Sequence, residues 1–211
     1  MEFSEWEPLY TEILADFGFD RSEDEESARI LSDLLGDRAG TLTDLREIIS
    51  GRDVSVCGNA PSLDREIGSI EQTGQNRVII AADGATTVLL KNRMIPDVIV
   101  TDLDGTIDDI IFASKRGSFV VVHAHGDNIP AVRSVVPRLR GTRVLGTTQS
   151  EPFDNIHNFG GFSDGDRCVF LAKTLNARSI ALFGFDYDDP DVGKIKRKKL
   201  VWAKRLIEEY L

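Results

Sequence analysis

Val98-Ile99-Val100-Thr101-Asp102-Leu103-Asp104-Gly105 is the stretch that decides how the rest of the chain reads. Its β-branched run predicts a short strand, and the acidic, glycine-ended tail predicts the turn that stops it. The same phrase recurs outward in both directions. Val54–Cys57 and Val78–Ala81 precede it, and Phe119–His123, Arg143–Leu145 and Ser179–Phe183 follow, each leading through a polar or glycine-bearing turn into a helical stretch. Strands that alternate with helices pair in parallel, because parallel neighbours need crossover connections. The expected fold is therefore α/β and Rossmann-like: a mainly parallel six-stranded sheet flanked by helices.

In an open parallel sheet, ligands bind beyond the carboxyl ends of the strands, so the residues after each strand matter most. Here these are Gly58-Asn59-Ala60-Pro61-Ser62, Asp83-Gly84, Asp102-Leu103-Asp104-Gly105, His125-Gly126-Asp127-Asn128, Thr147-Thr148-Gln149 and Gly184-Phe185-Asp186. Carboxylates gathered at one edge repel one another unless cations join them. Mg²⁺, which takes oxygen ligands and bridges carboxylates to substrate phosphates, is the expected cofactor.

Asp102 and Asp104 carry the sharpest signal, since an i, i+2 pair in extended chain points to one side and can share a metal. A turn in which aspartates bond their own backbone explains one of them, but not both together with Asp83 and Asp127. The expected metal set is Asp83, Asp102, Asp104 and Asp127, with Asp102, Asp104 and Asp127 as catalytic candidates. Gly58, Asn59 and Ser62 lie between a strand and a helix, where backbone N–H groups and the helix dipole receive phosphate. Gly84, His125, Thr147 and Thr148 are further candidates for holding the nucleotide. His123 and His125 lack a third nitrogen or sulfur ligand at zinc spacing. Among Lys194, Lys196, Arg197, Lys198 and Lys199, a lysine such as Lys194 is expected to reach a phosphate. The polar stretch Thr147 to Asp164, with Asn155, Asn158 and Phe159, is expected to be a site loop that reads the acceptor.

Residues 1–50 read as a separate N-terminal helical segment packed on the core, with 51–211 as the catalytic domain. Ser4 to Glu7, Ser22 to Glu25 and Thr41 to Asp44 have capping-box spacing, and Gly18 and Gly36 sit where two helices would end. A last helix is expected from Lys194 to Leu211. The net charge of −10 is concentrated at the front: residues 1–50 hold 14 acidic and 4 basic side chains, and the remainder is balanced. That balance excludes a non-specific nucleic-acid binder, which needs a basic footprint. No apolar run approaches the roughly 20 residues that cross a bilayer. Cys57 and Cys168 form neither a zinc spacing nor a disulfide framework, which fits a reducing, cytoplasmic setting. A homo-oligomer is compatible with the sequence.

At these residues the chain resembles a known group. Ala82-Asp83-Gly84-Ala85, then Pro96-Asp97 through Asp104-Gly105, then Gly126-Asp127 are similar to the catalytic domain of thiamin pyrophosphokinases. The closer resemblance is to the archaeal 6-hydroxymethyl-7,8-dihydropterin diphosphokinases, which share that domain and carry an N-terminal helical segment. The resemblance implies that the aspartates hold Mg²⁺ and ATP phosphates. It also implies that diphosphate passes from ATP to the hydroxymethyl group of a small-molecule pterin alcohol, releasing AMP, in folate or tetrahydromethanopterin biosynthesis. The Gly58-to-Leu63 loop also recurs in relatives linked to surface glycosylation, so it does not discriminate. Thiamin is the lesser expectation as acceptor, because thiamin pyrophosphokinases usually continue into a C-terminal β domain.

Two rivals stand beside this reading. Asp102-Leu103-Asp104-Gly105-Thr106 also matches the DxDGT motif of haloacid-dehalogenase-like phosphatases. That match would make Asp102 a nucleophile and Asp104 the acid/base, with Thr147 or Thr148, Lys173 and Asp186 in later motifs. That family places the motif on its first strand, whereas here two strand units come earlier. The other rival is a non-catalytic nucleotide-binding module with an acidic docking segment.

Overall fold

The computed structural model describes residues 1–38, 40–72, 77–139 and 143–210, with the Arg38 side chain left aside. The expected helix end at Leu211 lies outside these residues. Among them the chain forms a parallel seven-stranded sheet of β1 (Asp53–Cys57), β2 (Val78–Ala82), β3 (Val98–Thr101), β4 (Phe119–Ala124), β5 (Val144–Thr148), β6 (Ile156–His157) and β7 (Ser179–Phe183). Their spatial order is β6-β5-β4-β3-β2-β1-β7. The chain therefore winds in one direction from β1 to β6 and then returns to pair β7 with the other side of β1. A reversal of this kind opens a crevice at the strand ends.

Two strand expectations need correcting. The sheet has a seventh strand, β6, too short to stand out inside a polar stretch. β5 also runs on to Thr148 rather than ending at Leu145. Gly146 does not break it: a β-carbon there would sit 2.5 Å from Ile156 Cδ1 and 3.0 Å from Leu35 Cδ1, so the glycine makes room for neighbouring side chains.

Alternation along the strands divides the core. Val54, Val56, Val98, Val100, Phe119 and Val121 face α3 (Leu42–Ile49) and α8 (Asp164–Thr174). Val120, Val122 and Ala124 face the other way, onto α2 (Arg21–Leu35), α6 (Ile107–Lys115) and α7 (Ile129–Val135). Cys57 and Ala81 pack on α4 (Leu63–Gln72) and α5 (Asp83–Lys91). Trp6, Tyr10 and Ile13 of α1 (Phe3–Phe17) join Phe162, Phe170, and Trp202 and Leu206 of α9 (Lys194–Tyr210) in a separate cluster.

The first two helix starts differ from expectation. α1 is capped by Glu2 with Glu5, and α2 by Asp20, whose carboxylate accepts from Ser22 N. Aspartate just ahead of a helix satisfies the orphan N–H groups before Ser22 can do so. Thr41 and Asp44 form the expected box, and Gly18 and Gly36 end their helices.

Candidate active site

The turns after β1, β2, β3, β4, β5 and β7 line one cavity of about 750 Å³, closed over by the starts of α2 and α8 and by one face of α9. Its floor is acidic. One oxygen from each of Asp83, Asp102, Asp104 and Asp164 lies within 4.8 Å of the others.

Each carboxylate is placed by local backbone. Asp83 opens α5 directly after β2, where the positive end of the helix favours a negative group. Thr101, the last residue of β3, donates its hydroxyl to Asp83 Oδ2, which ties adjacent strand ends together. Asp102 and Asp104 flank Leu103, which takes a left-handed φ of 68° while its side chain is buried in the core cluster that includes Ala28 and Leu31 of α2. The two aspartates thus meet through a left-handed turn rather than by extended-chain alternation, and a buried leucine holds that turn against its intrinsic cost. Asp164 opens α8, whose start is capped by Ser163 with Asp166.

The charges are unequal. Burial works against ionisation of Asp102, but the His125 ring and the Arg167 guanidinium outweigh it and hold its carboxyl below the usual range. Burial and the charge on Asp102 push Asp104 up to about 6. Asp83 is raised by burial despite the Thr101 bond. Asp164 is raised well above the usual value by burial and by Asp102, against Arg167. Such a set holds either protons or a cation. Asp83 Oδ1 and Asp102 Oδ1 are buried without a hydrogen bond among the described residues, as expected of oxygens that await a ligand. An all-oxygen set suits Mg²⁺ or a similar hard cation.

Around this floor, His125 places its ring nitrogens 3.3 Å from Asp102 Oδ2 and 2.5 Å from Asp127 Oδ1. Asp127 therefore does not join the four carboxylates; its side chain is 85% exposed and meets the far side of the imidazole. Arg167 Nη1 lies 3.2 Å from Asp164 Oδ1, and its Nη2 donates to Gln149 Oε1 at 3.4 Å. Gln149 Nε2 donates at 2.7 Å to Asp24 of α2, which also accepts from Tyr10 Oη at 2.6 Å and Gly126 N at 2.9 Å. The N-terminal helices are thus wired into the β4 and β5 turns.

The crevice between β1 and β7 depends on glycine. Gly58 N donates to Phe183 O and Ala60 N to Gly184 O, and a β-carbon on Gly184 would lie 2.4 Å from Gly58 O. A β-carbon on Gly84 would lie 2.1 Å from Asn59 Nδ2, so the Asn59 amide rests on the start of α5. Lys196 and Lys199 of α9 add positive charge to the wall.

Of the residues singled out from sequence, Gly58, Asn59, Asp83, Gly84, Asp102, Asp104, His125 and Asp127 line the cavity. Gly126, Gln149, Gly184, Asp186, Lys196 and Lys199 line it too, whereas Ser62, Thr147, Thr148 and Lys194 do not. Thr147 bonds Val122 O and meets His123 Nδ1 beneath the sheet edge, and the Thr148 hydroxyl accepts from Ser150 N. Ser62 Oγ is buried without a partner among the described residues, while Lys194 is exposed and Lys196 and Lys199 of the same helix reach the cavity wall instead. The stretch from Thr147 to Asp164 brings Gln149, Phe162, Ser163 and Asp164 to the cavity, while its middle packs inward. Asn155 accepts from Ser32 Oγ, Asn158 donates to the Gln149 and Ser150 carbonyls, and Phe159 is in the core. The Asn158 amide is spent on satisfying backbone carbonyls. Asp164 and Arg167 were missed; the capping spacing of Ser163 and Asp166, followed by an apolar run that contains one arginine, is the signal that points to them.

Asp102 and Asp104 follow the third strand of the chain, not its first, which removes the positional basis of the DxDGT phosphatase reading. No described helix is long and apolar enough to cross a membrane.

The family model described as 6-hydroxymethylpterin diphosphokinase MptE-like matches residues 33–192. A Methanothermobacter thermautotrophicus protein named 6-hydroxymethyl-7,8-dihydropterin pyrophosphokinase is 46% identical over 99% of this chain and 94% of its own length. Proteins of the same name from Methanocaldococcus jannaschii and Pyrococcus furiosus are 40% and 39% identical, over 98% and 99% of this chain and 95% and 94% of theirs. Among solved structures, the MAf glycosyltransferase of Magnetospirillum magneticum AMB-1 is similar with a TM-score of 0.55 at 18% identity, covering 89% of this chain and 35% of that one. At that identity the likeness is one of fold.

Proposed function

Because this chain belongs to the 6-hydroxymethylpterin diphosphokinase MptE-like family, we propose that its cavity transfers diphosphate from ATP to the hydroxymethyl group of 6-hydroxymethyl-7,8-dihydropterin. It is an enzyme of the 6-hydroxymethyl-7,8-dihydropterin pyrophosphokinase type. The observation that carries the site assignment is the convergence of Asp83, Asp102, Asp104 and Asp164 beside a crevice edged with glycine and lysine.

In this reading the acceptor hydroxyl attacks the β-phosphorus of ATP, the bond from that phosphorus to the oxygen bridging it to the α-phosphorus breaks, and AMP leaves as the hydroxyl gives up its proton. Asp83, Asp102, Asp104 and Asp164 are the residues that would hold Mg²⁺, which supplies charge neutralisation to the transferring phosphates. The chain's own task is mostly to position and to exclude competing water. The Gly58–Ala60 turn offers close backbone approach to phosphate, and Lys196 and Lys199 offset its charge. His125, set between Asp127 and Asp102, fixes the Asp102 carboxylate on the cavity floor. Asp127, which lines the cavity outside the four carboxylates, is the carboxylate placed to take the hydroxyl proton as the new bond forms. A cytoplasmic location fits substrates of this kind.

Incubation with ATP, Mg²⁺ and either the pterin or thiamin tests the proposal. AMP and the pterin diphosphate appear together with the pterin, and thiamin yields neither AMP nor a diphosphate product. AMP with thiamin alone would move the acceptor assignment, and orthophosphate from a phosphomonoester with no AMP would return the phosphatase reading.

A further inference from the structure

The cavity extends along the sheet edge to both sides of the four carboxylates, and its halves differ in chemistry. Over β1 and β7 it is bounded by the Gly58 and Gly184 turns and by Lys196 and Lys199. Over β4 and β5 it is bounded by the turn after β4 and by the start of α2 with Phe19 just ahead of it. A triphosphate suits the lysine half and is repelled by the second, where Asp20, Glu23, Asp24 and Asp127 gather. A neutral heteroaromatic ring that carries an amino group beside a ring N–H suits the second half, because two parallel donors match one carboxylate.

Most carboxylates of that half are already engaged. Asp24 accepts from Tyr10, Gln149 and Gly126, Asp20 caps α2 through Ser22, and Asp127 meets His125. Glu23 is exposed and has no side-chain hydrogen bond or ion pair among the described residues, yet its β-carbon is fixed in place. A β-carbon on Gly126 would lie 2.5 Å from Glu23 Cβ, so the first turn of α2 is seated directly on the turn after β4. Phe19 is 44% exposed at the same wall and stacks on Phe17.

We infer that the half of the cavity under α2 is the acceptor subsite, in which the Glu23 carboxylate takes the 2-amino and N3–H donors of the pterin and Phe19 shields its ring. The inference rests on the diphosphokinase reading above. It gives the N-terminal helices a function: they choose the acceptor, while the β1/β7 crevice takes the nucleotide.

The test is steady-state kinetics and direct pterin binding, followed by quenching of pterin fluorescence, for the wild type, Glu23→Gln and Phe19→Ala. The acceptors are 6-hydroxymethyl-7,8-dihydropterin and its analogue with a 2-oxo group in place of the 2-amino group. Glu23→Gln should raise the pterin KM by about tenfold to a hundredfold, the loss of a charge-assisted pair, and leave the ATP KM unchanged. It should also narrow the wild-type preference for the 2-amino acceptor, which a purely structural defect would not do. Phe19→Ala should weaken pterin binding alone. An active wild type with an unaltered pterin KM in Glu23→Gln, or an ATP KM that rises in step, would overturn the inference by itself. A wild type that makes no AMP with the pterin would overturn the diphosphokinase reading and the subsite with it.

Discussion

Gly105 stands so close to Asp83 that a β-carbon on it would lie 1.7 Å from the Asp83 Oδ1 atom. The turn after β3 is therefore pressed onto the carboxylate that opens α5, and this contact sets the spacing of the acidic floor.

Gly105→Ala should displace Asp83 and cost about a hundredfold in kcat, the scale expected from misplacing a reacting geometry by an ångström. Overpacking should also lower stability by about 1–3 kcal/mol. Gly68 in α4 has open space around its α-carbon, so Gly68→Ala should instead stabilise by about 0.5–1 kcal/mol and leave kcat unaltered. Denaturant melts and turnover on the two variants check the contrast.

Asp102→Asn and Asp104→Asn should each abolish turnover while the fold persists. Asp104→Asn relieves the repulsion that Asp102 and Asp83 exert on that carboxylate, whereas Asp102→Asn gives up the ion pair with His125 and lowers stability modestly. Near-normal activity in both would sink the role assigned to them.

Without divalent cations, the contribution of Asp83, Asp104 and Asp164 to stability should fall as pH rises. Asp83, Asp104 and Asp164 have folded-state values above the unfolded carboxylate, so the native state binds more protons there and loses stability as pH climbs through those values. For Asp104 the window runs from about 4 in the unfolded chain to about 6 in the fold. Asp102 runs the other way, losing its contribution only as pH falls through a folded value below the usual range. Mg²⁺ should therefore raise Tm more at neutral pH than at about pH 5, where the carboxyls retain protons. Thermal scans across pH, with and without the cation, check the sign.

Tyr10→Phe should remove the 2.6 Å donor to buried Asp24 and cost about 1.5–3 kcal/mol, as expected for a bond to a charged acceptor. The measurement is the urea midpoint, and a loss of only a few tenths of a kcal/mol would show that Gln149 and Gly126 suffice to hold that carboxylate.

The sheet and most of its floor are legible in the sequence because β-branched runs and post-strand aspartates are local signals. Asp83, Asp102 and Asp104 follow strands that are plain to read. Asp164 is not legible in the same way, because it opens a helix after a long irregular stretch and reaches the floor only through tertiary packing. Asp127 misled for the converse reason: it follows a strand, yet the short turn at Gly126–Asn128 aims it outward to His125. Glu23 lies within a run of acidic residues that reads as a solvated helix face, and nothing in its spacing separates it from Glu25 or Glu26.

The most direct test of the central claim is to count the phosphorus atoms that reach the acceptor in a single turnover. ³¹P NMR of the quenched reaction should show a diphosphate ester on the pterin hydroxymethyl oxygen and one AMP per product. A pterin monophosphate formed with ADP, or free orthophosphate with an unaltered pterin, would contradict the account.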